Sequence, residues 1–309
     1  MLTPEQVRFF RDNGFLKVEG AFSPDEVAAL RDATARLIAT GPTADMSAGQ
    51  RRDYQYGRVK GRDEPVLKRI EYLQGKGEPF LHLLAHPVLL DAVQKVVGEQ
   101  FVPTWDSVVI KMPGSGVEVP WHRDGGGPQP FYDDPQSGRR LPAVNFDIYL
   151  DEANAQTGAL YVIPGSNKDR ENRAPELAAH GDYEGVPGAV MVPMQPGDLL
   201  LHDVTLYHGS PETSDSPSIR RVIYYEFRDH RLIDALHLSG PGKTPVNMEW
   251  TPEWVGQRLA VLQRALDERG AARGDVPFAQ HPAPELRVPS DVAANTPTRV
   301  PHPGWDGAQ

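Results

Sequence analysis

Val144-Asn145-Phe146-Asp147-Ile148-Tyr149-Leu150 alternates without a break. On an extended chain Val144, Phe146, Ile148 and Leu150 fall on one face, and Asn145, Asp147 and Tyr149 on the other. An apolar face of that kind packs on a core, while the polar face opposite it suits a lined cavity. Shorter apolar runs flank this strand at residues 108–112, 160–163, 190–192, 199–201 and 222–227, in a stretch broken by Gly and Pro. The 30 prolines and 29 glycines of the chain suit many short strands joined by turns better than a helical bundle. From residue 100 onward the sequence therefore reads as a β core.

The texture before residue 100 is helical. In residues 3–13 Thr3 is placed to cap, Pro4 takes the first helical position, Val7, Phe9 and Phe10 form the inner side, and Gly14 ends the run. Residues 15–18 predict a strand, and Ser23-Pro24-Asp25-Glu26 opens a second helix carrying Val27, Leu30 and Leu37 at helical spacing. Residues 41–76 are polar with no sustained period, whereas residues 79–97 hold a helical apolar pattern stopped by Gly98. Beyond the β core, residues 250–268 predict an amphipathic helix. The seven prolines of residues 276–309 predict a tail that is disordered or wrapped over the surface. One domain is expected: a β core with its helical cap over residues 1–235, and residues 236–309 packing on it or trailing from it.

Composition narrows the function. The chain has 309 residues, 39% hydrophobic and 24% charged, as in an ordinary soluble globular protein. A net charge of −10 without a basic cluster offers no footprint for a phosphate backbone, so nucleic acid is not expected as a partner. No stretch reaches the roughly 18 apolar residues of a membrane helix. The opening MLTPEQVRFFRDNG is polar where a signal peptide would be apolar, so no membrane partner and a cytoplasmic location are expected. With no cysteine, metal ligands must be His or carboxylate, which favours iron, manganese or zinc. Oligomeric state is open.

His122 and Asp124 stand two residues apart, so on an extended segment both side chains project toward one point. A bare His-x-Asp pair is weak by itself, but His208 follows 86 residues later at the end of the run 197–210. Two histidines and one carboxylate can hold ferrous iron on one face and leave positions open for an oxidisable co-substrate and dioxygen. Twelve residues after His208, Arg220 begins a strand in phase with Val222 and Tyr224, where a guanidinium could fork onto a carboxylate.

Five blocks in this order resemble the phytanoyl-CoA dioxygenase-like branch of the 2-oxoglutarate oxygenases: FFRDNGFLKVEGAFSPDEV, KMPGSGVEVPWHRD, YLDEANAQTGALYVIPGS, PGDLLLHDVTLYHGS and IRRVIYYEF. The resemblance runs from about residue 3 to about residue 230. It implies a mainly β fold with flanking helices, a double-stranded β-helix (a cupin-like jelly roll) whose mouth holds the metal. It implies His122, Asp124 and His208 as ligands of Fe(II), Arg220 as the partner of the distal carboxylate of 2-oxoglutarate, and Ser210 as its helper. The His208-to-Arg220 spacing is one residue longer than the usual form, which leaves Arg221 as a competitor. Asn167 departs from the His that commonly follows the PGS block. The implied reaction consumes 2-oxoglutarate and O2, releases succinate and CO2, and by default hydroxylates a small or medium organic substrate such as a natural-product intermediate or an acyl derivative. Asp124 fills the position that related halogenases vacate. Desaturation, epimerisation and ring closure stay open.

Other residues read more plainly. His202 stands where the family accepts several residue types and reads as structural, and His82 and His86 read as surface or packing histidines. The glycine run at 125–127 and the polar residues to about 140 form either a gating loop or an exposed connection. Arg51, Arg52 and Arg58 are a possible but weak anion-binding group. Two alternatives stand beside the oxygenase: a cupin-like metal-dependent hydrolase or isomerase, and a non-catalytic ligand-binding barrel. Turnover of 2-oxoglutarate separates them.

Overall fold

The computed structural model describes residues 1–61, 63–124, 133–180, 182–213, 216–237, 250–274, 286–302 and 305–306. Helix α1 (Pro4–Asn13) carries a full Thr3–Gln6 capping box and ends at Gly14, whose φ of 79° is the left-handed conformation that glycine takes at little cost. Phe10 is buried, but Phe9 is 44% exposed and packs edge-on against Phe15, so the inner side is narrower than the sequence predicts. Strand β1 (Phe15–Val18) and helix α2 (Pro24–Thr40), with its Ser23–Glu26 capping box, lie where expected.

The polar stretch 41–76 is more ordered than its pattern suggests. It folds as α3 (Ala48–Arg52), β2 (Tyr54–Gly57) and β3 (Val66–Glu71). The helical pattern of residues 79–97 is two helices, α4 (Glu78–Leu84) and α5 (Pro87–Val96), broken at Pro87 because proline lacks the N–H that would continue the first. His86 caps α5 through its Nδ1, bonds Glu26 and packs on Phe22, and His82 is buried too; both serve packing.

Strand β4 (Phe101–Lys111) is longer than its apolar run, and is followed by β5 (Val119–His122), β6 (Ala143–Tyr149) and β7 (Leu160–Val162). A short α6 (Ala174–Ala179) precedes β8 (Val190–Val192), β9 (Leu199–Asp203), β10 (His208–Ser210) and β11 (Arg220–Asp229). Then come α7 (His230–His237), α8 (Pro252–Arg273) and α9 (Ser290–Asn295).

Two antiparallel sheets form the jelly roll: a seven-stranded sheet in the order β1-β9-β6-β11-β4-β3-β2 and a four-stranded sheet in the order β5-β10-β7-β8. The apolar faces of β6 and β11, through Val144, Phe146, Ile148, Ile223, Tyr225 and Phe227, join Leu and Val residues of α2, α4, α5 and α8 in the main core outside the large sheet. Between the sheets, Leu160, Val162, Val192, Leu200, Leu206, Val222 and Tyr149 close the interior on one side. The remaining interior is the polar cavity that the alternation of residues 144–150 predicts.

Helix α8 docks by its buried Arg258, which donates to the Pro103 carbonyl and to Asp106 at 2.8 and 2.9 Å. Residues 286–302 wrap back over the domain. Arg299 forks onto Asp53, and His302 lies between the rings of Trp105 and Trp254, with centroids 4.7 and 4.8 Å away. The glycine run 125–127, and residues 276–285 of the predicted tail, lie outside the described residues. No helix among the described residues is long and apolar enough to cross a membrane.

Candidate active site

The small sheet presents two histidines. His122 on β5 and His208 on β10 are direct cross-strand partners with ring centroids 4.2 Å apart. Such close approach needs the HGS sequence: a Cβ on Gly209 would meet the Val119 carbonyl at 3.0 Å and the Trp121 nitrogen at 3.1 Å. Asp124 lies past the end of β5, in a turn whose N–H is pinned to the Val204 carbonyl at 2.9 Å. His122, Asp124 and His208 each offer one ligand atom, and these atoms lie within 4.8 Å of one another.

Their orientations are fixed by the backbone. Nδ1 of His122 donates to the Pro120 carbonyl at 2.8 Å, and Nδ1 of His208 to the Leu206 carbonyl at 3.0 Å. A carbonyl only accepts, so both rings carry their proton on Nδ1 and turn Nε2 toward Asp124, at 3.2 and 3.4 Å. Burial drives His208 down to about 3, which keeps its imidazole neutral. Burial opposes ionisation of Asp124, yet His208, His122 and His202 together hold its carboxyl well below the usual range. Two imidazole Nε2 atoms beside an ionised carboxylate form the donor set a divalent cation requires.

His202, read from sequence as structural, is part of this arrangement. On β9 it is completely buried, with Nδ1 3.0 Å from Asp147 Oδ2 and Nε2 2.9 Å from Asp124 Oδ2. Burial alone would lower its pKa, but Asp147 and Asp124 raise it to about 10, so the ring is a cation that donates to both. Asn145 donates to the same Asp124 oxygen at 2.6 Å. Asn145 and Asp147 thus meet the site through the polar face of β6, while Tyr149 is buried beside the inter-sheet core, its hydroxyl without a partner among the described residues.

Arg220 and Arg221 go to opposite faces of β11. Arg221 forks onto Asp151 at 2.8 and 2.9 Å and reaches Thr34 of α2. Arg220 is 2% exposed and lines the cavity together with His122, Asp124, His208 and Ser210. It donates to the Gly158 carbonyl, but its Nε has no partner among the described residues, and neither has the buried hydroxyl of Ser210. A guanidinium with a free edge beside a free hydroxyl matches a carboxylate ligand. Lys111, directly opposite Arg220, spends its ammonium on the carbonyls of Val117 and Pro211. The cavity measures about 190 Å³ and is completed by Arg69, Trp105, Ser107, Val109, Tyr224, Glu226, Arg228 and Trp250, among others. Arg51, Arg52 and Arg58 do not line it. Glu226 had a legible signal, since it follows the two-residue phase of Arg220, Val222 and Tyr224, whereas Arg69 had none because residues 41–76 show no sustained period.

Comparison with known proteins places this geometry. The family model for phytanoyl-CoA dioxygenase matches residues 10–222. A probable alpha-ketoglutarate-dependent hypophosphite dioxygenase of Stutzerimonas stutzeri is 27% identical over 86% of this chain and 98% of that protein. The crystal structure of AviO1 from Streptomyces viridochromogenes Tue57 is 29% identical, covers 74% of this chain and 97% of its own, and superposes with a TM-score of 0.58. That of EvdMO1 is 32% identical over 73% of this chain with a TM-score of 0.57, but this chain spans only 50% of it. Since the matched span runs from the first helix to the strand that carries Arg220, the chain belongs to the phytanoyl-CoA dioxygenase family of iron(II)- and 2-oxoglutarate-dependent oxygenases.

Proposed function

We propose that this dioxygenase holds ferrous iron by His122 Nε2, His208 Nε2 and Asp124, holds 2-oxoglutarate by Arg220 and Ser210, and hydroxylates a small organic molecule. The observation that carries this reading is the sharing of one cavity by the three convergent ligand atoms and by two unpartnered buried polar groups, Arg220 Nε and the Ser210 hydroxyl. When bound, iron and 2-oxoglutarate supply a two-electron oxidation of the substrate by dioxygen, coupled to decarboxylation of 2-oxoglutarate to succinate.

The chain's own residues do the positioning. His202 and Asn145 occupy one oxygen of Asp124, which leaves the other to face the metal side. Arg220, buried in the cavity wall, selects a dicarboxylate by charge as well as shape. The cavity accommodates the co-substrate with little to spare, so the substrate is small or reaches in by one end.

The test is succinate formation by purified protein given iron(II), ascorbate, 2-oxoglutarate and air, beside a His122→Ala control. Slow succinate that vanishes in the control supports the assignment. Where none forms, 2-oxoglutarate is titrated into the anaerobic iron protein. A visible absorption band without succinate marks an oxygenase awaiting its substrate. No band would overturn the ligand assignment and favour a cupin-like hydrolase or a silent binding barrel.

A further inference from the structure

The inward face of the large sheet forms rows that the strand register fixes. Val222 of β11 lies opposite Val109 of β4, and Val109 lies opposite Arg69 of β3. Arg69 therefore stands two strands away from β11, roughly 10 Å across the sheet, and its side chain lines the same cavity as the candidate ligands. It is half-buried, with 37% of the side chain exposed.

The other cations of the cavity are engaged. Arg228 forks onto Glu226 at 2.7 and 3.1 Å and lies over the Trp250 ring, and Arg220 faces the co-substrate on the reading above. The ion-pair partner of Arg69 among the described residues is Glu71, at 3.6 Å. Glu71 is completely buried and accepts from Gln55, and burial pushes its carboxyl up to about 8. At 3.6 Å, beyond hydrogen-bond range, and with that Glu71 oxygen already accepting from Gln55, the pair leaves the guanidinium fork open toward the cavity. A half-desolvated cation facing a cavity is stabilised when a ligand brings the opposite charge, and the planar fork favours an oxyanion. Trp105 and Ser107 of β4 lie on the same inward face and line the space between Arg69 and β11 with a flat apolar surface and a hydroxyl.

We infer that the substrate of this oxygenase is an organic anion whose carboxylate or phosphonate head is held by Arg69, with its body lying past Trp105 and Ser107 toward the metal ligands. This rests on the assignment of iron and 2-oxoglutarate proposed above, and it replaces Arg51, Arg52 and Arg58, which lie outside the cavity, with a cation that reaches it.

The experiment uses the full-length protein, loaded anaerobically with iron(II) and 2-oxoglutarate. Butanoate, propylphosphonate and neutral butanamide are each titrated while the visible absorption band is followed. At least one of the two anions is expected to shift the band with an affinity tenfold or more above that of butanamide, and the stronger of the pair identifies the head group. Arg69→Gln is expected to abolish that preference, and Arg69→Lys to keep part of it. Absence of the band in the wild type overturns the oxygenase reading and this inference with it. With the band present, the inference alone is overturned if neither anion shifts it, if butanamide binds as well, or if Arg69→Gln keeps the preference. Loss of the band only in Arg69→Gln would assign Arg69 to the co-substrate instead. Should Arg69→Gln not fold, Arg69→Lys decides: anion affinity must fall severalfold while that of butanamide holds, and no change overturns the inference.

Discussion

A carboxylate that ligates a metal through one oxygen needs its other oxygen occupied, or it rotates and competes with itself. In Asp124 that occupation comes from His202 and Asn145, and His202 is anchored in turn by Asp147. Replacing His202 by Leu leaves Asp147 buried without its cation, which should cost about 3–5 kcal/mol in urea unfolding. Metal affinity should fall roughly 10–100-fold in an anaerobic titration; an unchanged affinity would make His202 a packing residue after all. The two arginines of β11 separate in the same manner. Arg220→Lys keeps the charge but loses the fork, and should raise the KM for 2-oxoglutarate by roughly tenfold, about 1.4 kcal/mol. Arg221→Met breaks a buried ion pair with Asp151, and should lower stability by about 3–5 kcal/mol with the KM nearly unmoved. The reverse pattern would exchange their roles. Arg220 was legible in advance because it shares the phase of Val222 and Tyr224. His202 was not, since nothing in the sequence says which carboxylates a histidine meets across a sheet.

Around the cavity, sequence patterning finds β4, β6, β7 and β11 and misses β2, β3, β5 and β10. The inward residues of β2 and β3 are Gln55, Arg69 and Glu71, so the apolar alternation that announced β6 is absent there. Strands β5 and β10 are too brief to show a period, and each is defined by its partner rather than by itself. Glu71 gives the missed strand β3 a measurable signature. Its folded pKa of about 8 lies above its ordinary value of 4.5, so between these values the folded chain holds a proton that the unfolded chain has lost. Its contribution to stability is complete below about pH 4.5 and is lost as pH rises toward 8, by up to about 1.4 kcal/mol per unit. Glu71→Gln removes this slope. Relative to wild type, the variant should therefore be more stable at pH 8 than at pH 5 in matched urea titrations, and an equal difference at both pH values would mean that Glu71 is ionised in the folded chain.

Across the whole molecule, the jelly roll and the convergence of the three candidate ligands were legible because five motif blocks fall at the strands that build them. The wrapping of residues 286–302 against Trp105 and Asp53 depends on contacts between segments some 200 residues apart, which no local pattern encodes. The candidate metal centre has the same long-range character. His122 and His208 belong to the small sheet, while the partners that steady Asp124, His202 and Asn145, belong to the large one. A bound divalent cation therefore ties the two sheets together across the open side of the roll, and its binding energy appears as folding stability. At a metal concentration 100 times Kd the gain is about 2.7 kcal/mol, or roughly 4 °C in Tm for a chain of this size. Manganese(II), which does not oxidise in air, should raise the Tm of wild type by that amount and leave Asp124→Ala unmoved, with EDTA reversing the shift. An equal rise in Asp124→Ala would place the stabilising cation elsewhere on this acidic surface, and the two sheets would then owe their association to side-chain packing alone.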